Sequence, residues 1–240
     1  MSTTALTAQK YPFKPGERLV YKMNFGWFNV GEAEMWLDPE LHYQNSKPHY
    51  NLQFHAKTAS WFKVFSKLEI CMESLIQADN LQPYKSHRDL EGKNRIDIRH
   101  DFFKYGDSIK VNAYIEDIDQ WRYHTFPNGN VPIRDALSTY LWLRSKRGRE
   151  LEKPIELRTF FTNDLYEFSM RPKGRTTYKY GGDKIAAREF ELVFPEGEYF
   201  DKGKTGKVIL TDDERMLPLK LEIDMSVGSF KFQLESVEYE

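Results

Sequence analysis

A mainly β fold is what this 240-residue sequence predicts: one large antiparallel curved sheet, barrel-like or folded into two layers, with a single amphipathic helix packed on or in it. Three observations predict it. Short stretches alternate apolar and polar residues with period two along most of the chain. Clusters of Gly, Pro, Asn and Asp punctuate them as the turns of a meander would. A single segment, 132–147, switches to convincing helical periodicity.

That helix is the best-marked element. Ile133, Ala136, Leu137, Tyr140 and Leu141 follow the i, i+3, i+4, i+7, i+8 spacing of one stripe. Asn128-Gly129-Asn130 and Pro132 mark its start, because a proline in a first turn loses no hydrogen bond, and Asp135 lies near the positive dipole end. Lys146 and Arg147 suit the negative end, and Gly148 can take the left-handed conformation that stops a helix. Arg144 falls roughly on the apolar face and Trp142 roughly opposite it. A buried guanidinium needs a carboxylate, and Asp212 or Asp213 is the expected partner. Trp142 is expected beneath a loop, a second layer or a ligand.

The strands follow in order. Glu17 to Phe25 alternates through Leu19, Tyr21 and Met23, turns at Gly26-Trp27-Phe28-Asn29, and returns as Val30 to Leu37. After Asp38-Pro39, His49 to Thr58 puts Tyr50, Leu52, Phe54 and Ala56 on one face and His49 and His55 on the other. A meander over 68–78, 84–90, 94–104, 109–116 and 120–126 precedes the helix. Strands over 155–161, 165–171, 176–180, 184–194, 207–211, 217–226 and 229–239 follow it, the last two joined at Val227-Gly228. So many strands cannot stay in one flat open sheet, so the sheet must curl, close or split. A curved sheet with a helix on its concave side is a good way to build an apolar cavity. Nothing in composition marks a linker or repeat, so 11–240 reads as one domain behind a disordered or processed terminus, 1–10.

Composition narrows the function classes. With 17 Phe, 14 Tyr and 5 Trp the chain has stiff, wide side chains for sheet faces and binding cavities. A net charge of −1 gives no electrostatic footprint for nucleic acid or an anionic membrane. No apolar run reaches the ~18 residues of a membrane-spanning helix. Cys71 can form no internal disulfide and reads as a buried strand residue, which leaves the compartment open. Thr4-Ala5-Leu6-Thr7-Ala8-Gln9 is similar to the small-residue tail of a signal peptide.

Three segments in order resemble one family. They are Phe13-Lys14-Pro15-Gly16-Glu17-Arg18-Leu19-Val20-Tyr21 leading to Val30-Gly31-Glu32-Ala33; Asp135-Ala136-Leu137-Ser138-Thr139-Tyr140 with Arg144; and Thr211-Asp212-Asp213-Glu214-Arg215-Met216-Leu217-Pro218 leading to Val227-Gly228-Ser229. The family is domain of unknown function 3108, bacterial proteins that are mostly exported or periplasmic in Gram-negative species. The resemblance implies an exported β-rich protein and carries over no catalytic residue.

Candidate chemistry is sparse. His87-Arg88-Asp89-Leu90-Glu91-Gly92-Lys93-Asn94 matches the kinase catalytic-loop pattern, but the other kinase parts are missing and Glu91-Gly92 reads as a hairpin turn. Thr211-Asp212-Asp213-Glu214 reads as a polar turn before Pro218. His49 and His55 lie roughly 20 Å apart on an extended strand, too far for one metal ion. No nucleotide-binding, zinc or serine-hydrolase motif is present, and the chain calls for no cofactor. Trp27, Phe28, Trp61, Phe62 and Phe65 crowd two turn-like segments, where adjacent rings cannot all face one core.

The expectation is a non-enzymatic cell-envelope protein, periplasmic or otherwise exported, that binds a lipid, glycan or other amphiphile in a β cavity. Trp27, Phe28, Trp61, Phe62 and Trp142 are its candidate ligand contacts. The alternative is a scaffold or accessory subunit holding another envelope protein. An unfamiliar hydrolase would need Asp135, Asp212 and Asp213 clustered with a histidine at a pocket.

Overall fold

Among the described residues, sixteen strands join one sheet. The computed structural model describes residues 11–62, 67–92, 96–194, 205–224 and 229–239. The chain begins with β1 (Glu17–Phe25), β2 (Phe28–Leu37), β3 (His42–Gln44) and β4 (Lys47–Thr58). A meander follows: β5 (Leu68–Gln77), β6 (Pro83–Gly92), β7 (Ile96–Tyr105), β8 (Ser108–Ile115) and β9 (Gln120–Pro127). The short β10 (Ile133–Arg134) leads into α1 (Ala136–Arg144). Then come β11 (Ile155–Phe161), β12 (Asp164–Tyr180), β13 (Asp183–Val193), β14 (Thr205–Thr211), β15 (Pro218–Asp224) and β16 (Ser229–Tyr239).

In space the order runs from β10 through β16, then β1, β2, β4 and on to β9, with β3 paired to β4. The first and last strands are therefore hydrogen-bonded neighbours in mid-sheet. Pairing is antiparallel except between β10 and β11. Register shifts at Val20/Tyr21, Met23/Asn24, Pro172/Gly174 and Ile209/Leu210 add local bend, and the sheet curls on itself. It does not close into a barrel. Near its two ends the strands meet through side chains: Phe103, Ile109 and Val111 of β7 and β8 pack with Ile133 and Phe160 of β10 and β11.

Several expectations need correction. The helix is shorter than 132–147, because Ile133 and Arg134 bond to β11 instead, so Pro132 does not open it. Asp135 is its N-cap: the carboxylate accepts from Ser138 N at 2.7 Å while Ser138 Oγ accepts from Asp135 N at 3.1 Å. The helix ends at Arg144, and Gly148, with φ of 53°, opens a separate 3-10 turn. The stretches 165–171 and 176–180 are one long strand, β12, bulged at Pro172 to Gly174. Cys71 is exposed, because Ile70, Met72, Ser74 and Ile76 alternate with it and take the inward positions. Phe65, the Val227-Gly228 turn and the 1–10 terminus lie outside the described residues.

α1 is covered on two sides. Leu137 and Leu141 sit among Phe13, Leu37, Leu52, Ile76 and Leu81. One step round the helix, Ala136, Thr139, Tyr140, Leu143 and Arg144 face the hollow of the sheet. A helix buried on two sides has no single apolar stripe, which explains why Arg144 and Trp142 did not fit one. Strand direction defines two rims. Glu17, the 212–217 turn and the C-terminal end of α1 lie at one, which we call the Glu17 rim. The Gly26-Trp27 turn lies at the other, where Gly26 N bonds Ser229 O at 3.2 Å and Ala59 N bonds Val30 O at 2.8 Å.

Candidate functional site

α1 lies against β4, β5 and β11. β4 and β11 are the ends of the arc that runs from β11 through β16, β1 and β2, so the helix closes that arc. Inside is a cavity of about 360 Å³. Alternate positions of each strand build its wall, with Phe168 and Met170 from β12, Leu192 from β13 and Phe194 just past its end, and Val208 and Leu210 from β14. Ile223, Phe232, Tyr21 and Phe54 continue it from β15, β16, β1 and β4.

The floor is the helix. Arg144 is 2% exposed and forms a bidentate ion pair with Glu17, through Nη1 to Oε1 and through Nη2 to Oε2 at 3.1 Å. Its Nη2 also donates to the Arg215 carbonyl at 3.1 Å, and Nη1 to the Tyr140 hydroxyl at 3.4 Å. Tyr140 and Tyr21 share a hydrogen bond. Burial alone would lower the Arg144 pKa, but Tyr140 and Glu17 outweigh it and hold the guanidinium charged. Burial pushes Tyr140 up to about 12, so its hydroxyl stays protonated.

A second interior site adjoins the N-terminus of α1. Asp97 accepts from Arg88 at 3.0 Å and from Arg99 at 2.5 Å, and Arg88 reaches Thr162 at 2.8 Å. Burial works against the charge of Asp97, but the hydrogen bond from Arg99 and the field of Arg88 hold it down at about 2. Burial pushes the neighbouring Asp101 up to about 7 despite Arg88. Asp135 accepts from Ser74 at 2.5 Å, and burial raises its pKa too. Among these groups lies a hollow of about 30 Å³, the size of one water. Asp101 Oδ1, Arg88 Nε and Arg99 Nη1 have no protein partner there.

The residues singled out from sequence are dispersed. Trp27, Phe28 and Trp61 stand at the Trp27 rim, 99%, 67% and 53% exposed, off the cavity wall. Phe62 packs against the core between β1, β2 and β4, with Trp61 on its edge at 5.6 Å. Trp142 is covered by two cations, the Arg134 guanidinium at 4.6 Å and Lys146 Nζ at 4.3 Å, and does not line the cavity. Arg144 pairs with Glu17 and not with Asp212 or Asp213. Asp212 is taken by Arg188 at 2.5 Å and Arg175 at 3.1 Å, and Asp213 by Arg215 at 2.7 Å. These local arginines leave neither aspartate free to reach the helix. Asp135 shares no bonding partner with Asp212 or Asp213. His87-Arg88-Asp89 lies within β6, not in a loop. Among the described residues no group of three or more His, Cys, Asp or Glu is arranged to hold a metal ion. None of their helices is long and apolar enough to cross a membrane.

Sequence reading missed the wall itself. Its signal was present in the inward parity of each strand, but the arc that brings β12 opposite β4 has no local signature.

One solved structure shares the architecture. A β-barrel-like protein of domain of unknown function 1849 from Brucella abortus aligns with a TM-score of 0.58 at 10% identity, covering 95% of this chain and 98% of that one. A Bacteroides fragilis protein with a YmcC-like fold aligns at a TM-score of 0.39 and 8% identity, over 95% of this chain and 98% of that one. No curated protein matches. A family model described as protein of unknown function, domain of unknown function 3108, matches residues 20–235, and the chain belongs to that family.

Proposed function

We propose that this protein binds an apolar or amphiphilic ligand in the cavity between α1 and the arc β11 to β4, and does so without catalysis in the cell envelope. The observation that carries the reading is an interior void of about 360 Å³ whose wall is almost wholly carbon. That volume falls within the ~300–1,000 Å³ of small-molecule sites. The envelope location is supported by the exported character that the family resemblance implies. Trp27, Phe28 and Trp61 stand as aromatic contacts at the rim, and Phe62 anchors Trp61 to the core.

The test is native mass spectrometry of gently purified protein, followed by organic extraction. A co-purified amphiphile, or uptake of one from an envelope lipid extract, is the expected result. Leu210→Trp, which fills the cavity from β14, should abolish it. A clean apo mass with no uptake would overturn the reading. The exposed Trp27, Phe28 and Trp61 would then favour a scaffold that holds another envelope protein.

A further inference from the structure

Five side chains at the cavity carry polar atoms: Tyr21, Thr139, Tyr140, Arg144 and Thr159. Each is engaged with another protein group. Thr139 and Thr159 bond to each other at 3.0 Å, Arg144 is held by Glu17 and the Arg215 carbonyl, and Tyr21 and Tyr140 share a bond. Arg144 Nε is buried without a partner, but it too is closed off, since almost no polar atom faces the void. A carboxylate, phosphate or sugar pushed to this floor would lose its water and gain no replacement. At the other end the wall runs through Phe194, Ile223 and Phe232 toward the Trp27 rim.

Volume limits what enters. A water's share of liquid volume is ~30 Å³, and a methylene is of similar size, so about 360 Å³ holds roughly a dozen such groups. That is one hydrocarbon chain of moderate length and not two.

We propose that the ligand is a single-chain amphiphile held tail-first, with its methyl end against α1 and its polar head left at the Trp27 rim. The helix floor, braced from behind by the Arg144–Glu17 pair, then sets the longest chain that is fully buried. This proposal rests on the cavity being a ligand site.

The experiment is a displacement titration with a fluorescent fatty-acid probe on the full-length protein, all competitors kept below their micelle concentration. Saturated fatty acids of increasing length should gain about fourfold in affinity per methylene, at ~0.8 kcal/mol each, and reach a plateau near twelve carbons. At fixed twelve-carbon length, a carboxylate, a phosphocholine and a maltoside should bind within about threefold of one another, because the head stays in solvent. Leu143→Ala should move the plateau to longer chains and Ala136→Leu to shorter ones. The wild-type head-group series needs no variant to fold. Affinity that follows the head group at constant tail, or that keeps rising to eighteen carbons, would overturn the orientation while leaving the cavity a ligand site. Failure of every chain to bind would instead remove the ligand-site reading itself.

Discussion

Arg144 and Glu17 illustrate how a buried charge can serve a fold without adding much to its stability. Each is nearly inaccessible, and each satisfies the other. Removing one partner leaves an uncompensated buried charge, which costs about 3–5 kcal/mol, whereas replacing both by apolar side chains is often close to neutral. Arg144→Met should therefore lower urea stability by that amount, and the double change Arg144→Met with Glu17→Leu should recover most of it. A double variant as unstable as the sum of the singles would show that the pair is not an isolated unit. Asp101 gives a second prediction at this scale. Its folded pKa, about 7, lies above the ordinary 3.8, so the folded protein binds more protons than the unfolded chain between those values. Stability from this group is complete below pH 4 and is lost as pH rises through 7, with a slope of at most about 1.4 kcal/mol per pH unit. Asp97, held at about 2, is ionised in both states above about pH 5 and adds an opposing slope only near pH 4, where the unfolded carboxyl is partly protonated. Asp101→Asn should flatten the stability profile from pH 4 to 7; an unchanged slope would show that Asp101 is not its source.

Elements show where local sequence suffices and where it does not. In β2, a Cβ on Gly31 would sit 2.1 Å from the Lys57 carbonyl oxygen of β4, so Gly31→Ala must push these paired strands apart. A loss of about 1–3 kcal/mol in denaturant stability is expected, and an unaffected midpoint would contradict the close approach. The strands were legible because alternation survives when one face is buried: Leu19, Tyr21 and Met23 point inward as their period demands. The ends of α1 were misplaced, since Pro132 and Gly148 are genuine helix signals that the sheet and a 3-10 turn used instead. Cys71 was misjudged because an apolar-looking residue can occupy the outward parity of a strand. A buried carboxylate for Arg144 was foreseeable on grounds of charge. Its identity was not, because Glu17 lies 127 positions away and is brought to the helix by the pairing that sets β1 between β16 and β2.

The whole molecule depends on that same pairing. β16 is last in the chain but sits between β15 and β1, so the arc around the cavity is complete only when the final strand is in place. Arg18 and Glu238, in contact across it, are 220 positions apart. Contacts of such separation must be reached against a large loop-closure entropy, which makes folding slow. Until then β1 and β15 each present an unpaired edge, a template for association with other chains. A chain ending at Asp224 should therefore lose cooperative unfolding, lose cavity binding and aggregate, although α1 and the meander β5 to β9 remain intact in sequence. A synthetic peptide spanning 229–239, added during refolding, should restore part of the soluble fraction by supplying the missing strand in trans. The full chain should unfold in a single calorimetric transition, because the two halves of the sheet share β16 and α1. Two separated transitions, or a truncated chain that stays soluble and unfolds cooperatively, would show that the halves are independent. The cavity would then be an interface between them and not the interior of one sheet.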